Sequence, residues 1–78
     1  MIGKMLRFMR KQKGFSQIQL AKLLNVAQTT LSGYETKYSN PTYETIEQIA
    51  KECNFEIIFK DNTTKKEYKI KDLERKDI

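Results

Sequence analysis

The chain has 78 residues, with 15 Lys and Arg against 10 Asp and Glu, one Cys, one Pro, three Gly and neither His nor Trp. That length holds one domain at most, and without imidazole the commonest general base and nitrogen metal ligand are missing, while the lone Cys53 makes neither an internal disulfide nor a zinc cluster. Neither an enzyme nor a metal or cofactor is expected; no stretch approaches the roughly 18 to 20 apolar residues of a membrane span, so a cytoplasmic protein with no membrane partner is expected.

The formal net charge of +5 and the pI near 9.4 favour a polyanionic partner without identifying one. Its distribution says more: residues 1–13 carry Lys4, Arg7, Arg10, Lys11 and Lys13 with no acid, residues 14–55 carry three bases and four acids, and residues 56–78 carry seven bases and six acids. In that first stretch Ile2, Met5, Leu6 and Met9 recur at helical spacing while the bases take other faces, which predicts an amphipathic helix of about eleven residues ended by Gly14. Ser16 followed three residues later by Gln19 is the pattern of a capping box, and Leu20, Ala21, Leu23 and Leu24 then form the apolar stripe of a short second helix. Asn25, a residue that tolerates the left-handed conformation, marks a sharp turn at its end.

A third helix is predicted over 27–36, with Leu31 and Tyr34 inward and Gln28, Thr29, Ser32 and Gly33 outward. Tyr38, Ser39, Asn40 and Pro41 read as a loop, since proline biases the residue before it away from helix. Thr42 caps a fourth helix that ends near Asn54, with Glu44 and Glu47 early and Ile46, Ile49 and Ala50 as its stripe. Cys53 reads as a small buried hydrophobe. The period then falls to two: strands over 55–60 and 66–70 flank the turn-like run 61–64, predicting a β-hairpin, and the charged residues from 72 onward read as a helical turn or a disordered tail. The mixed signs between Lys60 and Asp77 read as a solvated surface.

Two short helices joined by a tight turn and preceded by a basic helix make a helix-turn-helix pattern, with small Ala21 at the crossing and Val26 and Leu31 closing the space between. Over residues 2–54 the chain resembles the Cro and phage-repressor helix-turn-helix family, the XRE-type regulators. The matching residues are Leu6, Met9-Arg10 before Gly14, Phe15-Ser16-Gln17, Leu20-Ala21, Val26, Leu31-Ser32, Glu35, Asn40-Pro41, Thr42, Ile46 and Ile49-Ala50. The fold expected is mainly α, a four-helix repressor-like DNA-binding domain over 1–54, then a β-hairpin over 55–71 and a charged tail over 72–78.

The resemblance implies a sequence-specific regulator of transcription, a repressor, whose third helix enters the major groove of double-stranded DNA. It assigns Gln28, Thr29, Ser32 and Gly33 to base reading and Gln17, Lys13, Thr30, Tyr38, Ser39 and Asn40 to phosphates, and it pairs Arg10 with Glu35. Glutamine and threonine suit that task, because one carbamoyl group presents a donor and an acceptor to adenine and threonine offers a methyl or hydroxyl to thymine. Asn25 and Lys37 stand where the family often has glycine, so the end of the third helix is expected to be shaped differently. Gly33, an exposed mid-helix glycine, costs about 1 kcal/mol relative to alanine, and either admits DNA close to the backbone or marks an unused position.

A lone two-stranded hairpin is marginal in water. Phe55, Ile57, Ile58 and Phe59 are therefore assigned to a homodimer interface about a two-fold axis, with a hairpin that only covers the helical core as the other arrangement. Two further readings of the whole remain: an antitoxin that binds a toxin partner besides its own promoter, and an interaction module that keeps the fold without specific DNA binding.

Overall fold

A computed structural model describes residues 2–74, with the side chain of residue 74 excepted; the end of the expected charged tail, 75–78, lies outside the described residues. Five helices and a small sheet follow in the order α1 (Ile2–Gln12), α2 (Gln17–Leu24), α3 (Gln28–Thr36), α4 (Tyr43–Glu52), β1 (Phe59–Lys60), β2 (Glu67–Tyr68) and α5 (Ile70–Glu74). The core lies where α1, α2, α3 and α4 meet: Leu6, Leu20, Leu31, Ile49 and Cys53 are completely buried, and Met9, Ala21, Leu24 and Ala50 nearly so.

The caps explain why the helices start where they do. Ser16 and Gln19 form the reciprocal capping box, the hydroxyl accepting from Gln19 N at 3.1 Å and the carbamoyl oxygen accepting from Ser16 N at 2.8 Å. Thr42 likewise accepts from Thr45 N at 3.1 Å to open α4. Gly14, Asn25, Lys37 and Asn54 follow α1 to α4 in the left-handed region. Three of these ends close alike: Phe15 N, Val26 N and Phe55 N donate back to Arg10 O, Ala21 O and Ala50 O. The end of α3 differs, because the donor to Gly33 O is Ser39 N at 3.2 Å, so the chain makes a wider loop after Lys37.

Four expected core positions are corrected. Ile2 and Met5 point outward, since the buried face of α1 is Gly3, Leu6, Met9 and Arg10. The cause is close approach: a Cβ on Gly3 would lie 2.7 Å from Glu35 O and 2.8 Å from Tyr34 O, so glycine lets α1 rest on the backbone of α3 and sets the rotation of the helix. Leu23, at 50% exposure, falls off the Leu20–Ala21–Leu24 face, and Val26 closes the turn through its backbone while its side chain stays at the surface.

The hairpin is shorter than expected. Residues 55–58 belong to no strand; Phe55 N bonds to the end of α4 at 2.7 Å, and Phe55 and Ile57 pack on the helical core, which ties this stretch to helices instead of to a partner strand. Pairing begins at Phe59 opposite Tyr68 and Lys60 opposite Glu67, antiparallel. It stops at Tyr68, because Asp72 accepts from Lys69 N at 2.9 Å and opens α5 at Ile70, two residues before the expected start of the tail.

Candidate nucleic-acid interface

Burial of a charged pair organises the junction of α1, α2 and α3. Arg10 and Glu35 are both nearly inaccessible, and the guanidinium grips the carboxylate with two bonds, Nε to Oε2 at 2.7 Å and Nη2 to Oε1 at 3.0 Å. Its remaining Nη1 donates to Phe15 O at 2.9 Å, so the same side chain fixes the turn into α2. Bidentate geometry of this kind is the strong form of the ion pair. The bond to Glu35 raises the Arg10 pKa further above its ordinary value against the opposing effect of burial. For Glu35, burial pushes the carboxyl up, but hydrogen bonds from Arg10 and Gln17 with the nearby charges of Arg10 and Arg7 outweigh it and hold the group below the usual glutamate range.

The pair reaches the surface through two glutamines. Gln17 Nε2 donates to Glu35 Oε1 at 3.1 Å, and Gln28 Nε2 donates to Gln17 Oε1 at 3.3 Å. A carboxylate only accepts, so Gln17 must turn its nitrogen toward Glu35 and its oxygen outward, and that oxygen in turn selects the nitrogen of Gln28. The amide orientations thus follow from chemistry. Among the described residues nothing else bonds the Gln28 carbamoyl group, which leaves its oxygen and one N–H open at the first turn of α3, the donor-and-acceptor pair that an adenine edge accepts.

Around Gln28 the outer face of α3 forms a shallow depression of about 400 Å³, bordered also by Thr29, Ser32, Gly33, Thr36, Tyr38 and Ser39. None of these lining side chains is charged. Six of the seven are residues expected at a DNA surface; Thr36 was missed, although it stands four residues after Ser32, to whose carbonyl its hydroxyl donates at 2.9 Å. The loop after α3 folds back near Gly33: an added Cβ would lie 3.2 Å from Ser39 Oγ, a tight contact that a small shift of that exposed side chain relieves. Ala27 precedes α3 without a side-chain cap, so the first amide groups of that helix are not held by a capping side chain.

Other expected residues lie elsewhere. Lys13 places its ammonium 5.1 Å from the ring centroid of Phe55, apart from the depression. Thr30 is half-buried beside Leu31, and Asn40 is exposed in the loop but does not border the depression. Of the residues expected to join two copies, Phe55 and Ile57 turn inward onto the core, whereas Ile58 and Phe59 are exposed at 45% and 52%. A second and larger groove, about 620 Å³, runs between α4 and the returning chain at 54–57 and 69–71.

With this geometry in place, the chain can be compared with known proteins. A family model described as helix-turn-helix matches residues 6–59, most of the chain. The chain belongs to the Cro and phage-repressor helix-turn-helix family. Among curated members, the HTH-type transcriptional regulator ImmR of Bacillus subtilis (strain 168) is 31% identical over 68 residues, covering 83% of this chain and 54% of ImmR. The chain therefore spans about half the length of that relative. Among solved structures, the master regulator for biofilm formation SinR, crystallised in complex with DNA, superposes with a TM-score of 0.64 at 32% identity, covering 70% of this chain and 89% of that one. In this helix-turn-helix member the four-helix body and the small antiparallel sheet after it carry the fold that the sequence suggested.

Proposed function

We propose that this helix-turn-helix protein is a sequence-specific DNA-binding regulator of transcription, a repressor acting by occupancy, that sets α3 in the major groove and binds a two-half-site operator as a dimer. The observation that carries the reading is the Gln28 amide, hydrogen-bonded through Gln17 to a buried ion pair and bordering an uncharged depression on the outer face of α3. Neutral side chains discriminate between bases, while charge supplies affinity for phosphates that is the same for every sequence. Gln28 and Thr29 read bases, Ser32 and Thr36 follow one and two turns along the same face, and Tyr38, Ser39 and Gln17 lie at its edges. Both relatives named above agree with this reading, one being a transcriptional regulator and the other a regulator crystallised with DNA.

The test is selection of bound sequences from a random duplex library at about 150 mM salt. A two-fold consensus with half-sites about one helical turn, 34 Å, apart is expected; absence of any enrichment removes the reading. Gln28→Ala should relax preference at one base position at a cost of about 1–3 kcal/mol. Equal losses on selected and random DNA would exclude Gln28 from base reading.

A further inference from the structure

The seven bases and six acids of residues 56–78 leave a net charge of only +1 in the sequence, but among the described residues the structure separates them. Glu56 pairs with Lys69, Asp72 caps Lys69 N, and Asp61 turns its carboxylate onto Thr63 N and Thr64 N. Lys60, Lys65 and Lys66 remain at the hairpin tip, all exposed and with no carboxylate within ion-pair distance among the described residues; Glu67, opposite Lys60, is the nearby acid in the ladder. The tip is well held: Lys65 N donates to Asp61 O at 2.7 Å and Asp61 N to Lys66 O at 2.8 Å.

Its position follows from the chain path. Phe55 is bonded to Ala50 near the end of α4, and the ring of Phe59 lies 6.3 Å from that of Tyr43, the first residue of α4. Residues 55–59 therefore run back along α4, and the tip lies beyond that helix's N-terminus. The loop from α3 enters α4 at that same end, carrying Tyr38 and Ser39 from the border of the depression. At roughly 3.4 Å per residue the tip reaches on the order of 10 Å past Phe59.

We propose that the hairpin tip is a second DNA-binding element, in which Lys60, Lys65 and Lys66 dock on backbone phosphates of the duplex whose major groove receives α3. This rests on the DNA-binding reading above. The tip adds affinity without sequence preference, as contacts to phosphate do.

The test is fluorescence anisotropy with a random-sequence duplex between 50 and 200 mM salt, comparing the intact chain with Lys65→Gln/Lys66→Gln. Each lost phosphate contact lowers the slope of log affinity against log salt by about 0.9, so the double variant should be less steep by about 2 units, with the selected consensus unchanged. Lys51→Gln, at the opposite end of α4, should leave the slope within half a unit. A double variant with the parent slope, or a Lys51→Gln slope lowered as much per charge, overturns the hairpin contact while DNA binding stands. An intact chain with no salt-dependent affinity for any duplex overturns the underlying reading instead. Circular dichroism melts that coincide for parent and variant confirm that an exposed tip, and not the fold, was altered.

Discussion

Glu35 is the residue on which fold and site both depend. It holds Arg10 inside the protein and, through Gln17, sets the amide that Gln28 shows to solvent. Glu35→Ala leaves a buried guanidinium unpaired, so it should cost roughly 3–5 kcal/mol in urea unfolding, whereas Arg10→Met/Glu35→Leu, which removes both charges, should cost far less. Because the Glu35 carboxyl is held below its ordinary range, the stability it contributes is complete above the unfolded-state value of about 4.3 and is lost as pH falls from there through the lower folded-state value. The difference in stability between the parent and the double variant should therefore be flat near neutrality and move toward the double variant below about pH 4.3. A difference that does not change with acid would mean that Glu35 does not carry the pair. The ion pair was legible from the family resemblance; its extension through Gln17 was not, because hydrogen bonds between residues 18 and 11 positions apart have no local signature.

At the scale of the elements, the starts and stops of the helices were the most legible features, since each is written in two or three adjacent residues: Ser16 with Gln19, Asn25, and Thr42 after Pro41. Which face of a helix is buried was less so. Periodicity counts apolar side chains, and Gly3 has none, yet it decides how α1 turns by allowing backbone contact with α3. Gly3→Ala should thus push α1 away from Tyr34 and Glu35 and lower stability by about 1–3 kcal/mol, a cost of overpacking. An unchanged urea midpoint would show that the helices separate freely. Lys37 gives the opposite case. It ends α3 at φ 74°, a conformation that costs a side-chain-bearing residue about 1–2 kcal/mol, so Lys37→Gly should raise stability by about 0.5–1 kcal/mol after the greater unfolded-state freedom of glycine is subtracted. The hairpin was read too long for a related reason: alternation in Phe55, Ile57 and Phe59 is the same whether the opposite face is a strand or a helix, and here the first two pack on helices.

For the whole molecule, the C-terminal segment leaves Ile58, Phe59, Tyr68 and Leu73 between 40% and 52% exposed, on a chain short enough to bury only about 60% of its unfolded surface. The two-residue strands bury neither face, and the outer edge of β1 has no strand partner among the described residues. An unpaired edge with apolar neighbours calls for a cover, and under the proposed dimer a second copy meeting it across a two-fold axis would supply one. The described residues extend 39 × 23 × 23 Å, so two copies joined at this end are large enough to set their α3 helices the required 34 Å or so apart. Light scattering at about 50 μM should accordingly give twice the monomer mass. Ile58→Lys, which brings a charge onto that surface without touching Phe55 or Ile57 in the core, should give the monomer mass with an unaltered melt and weaken binding to a two-half-site duplex while leaving single half-site affinity intact. A monomeric parent, together with Ile58→Lys that changes neither mass nor DNA affinity, would mean that each protomer grips its half-site alone.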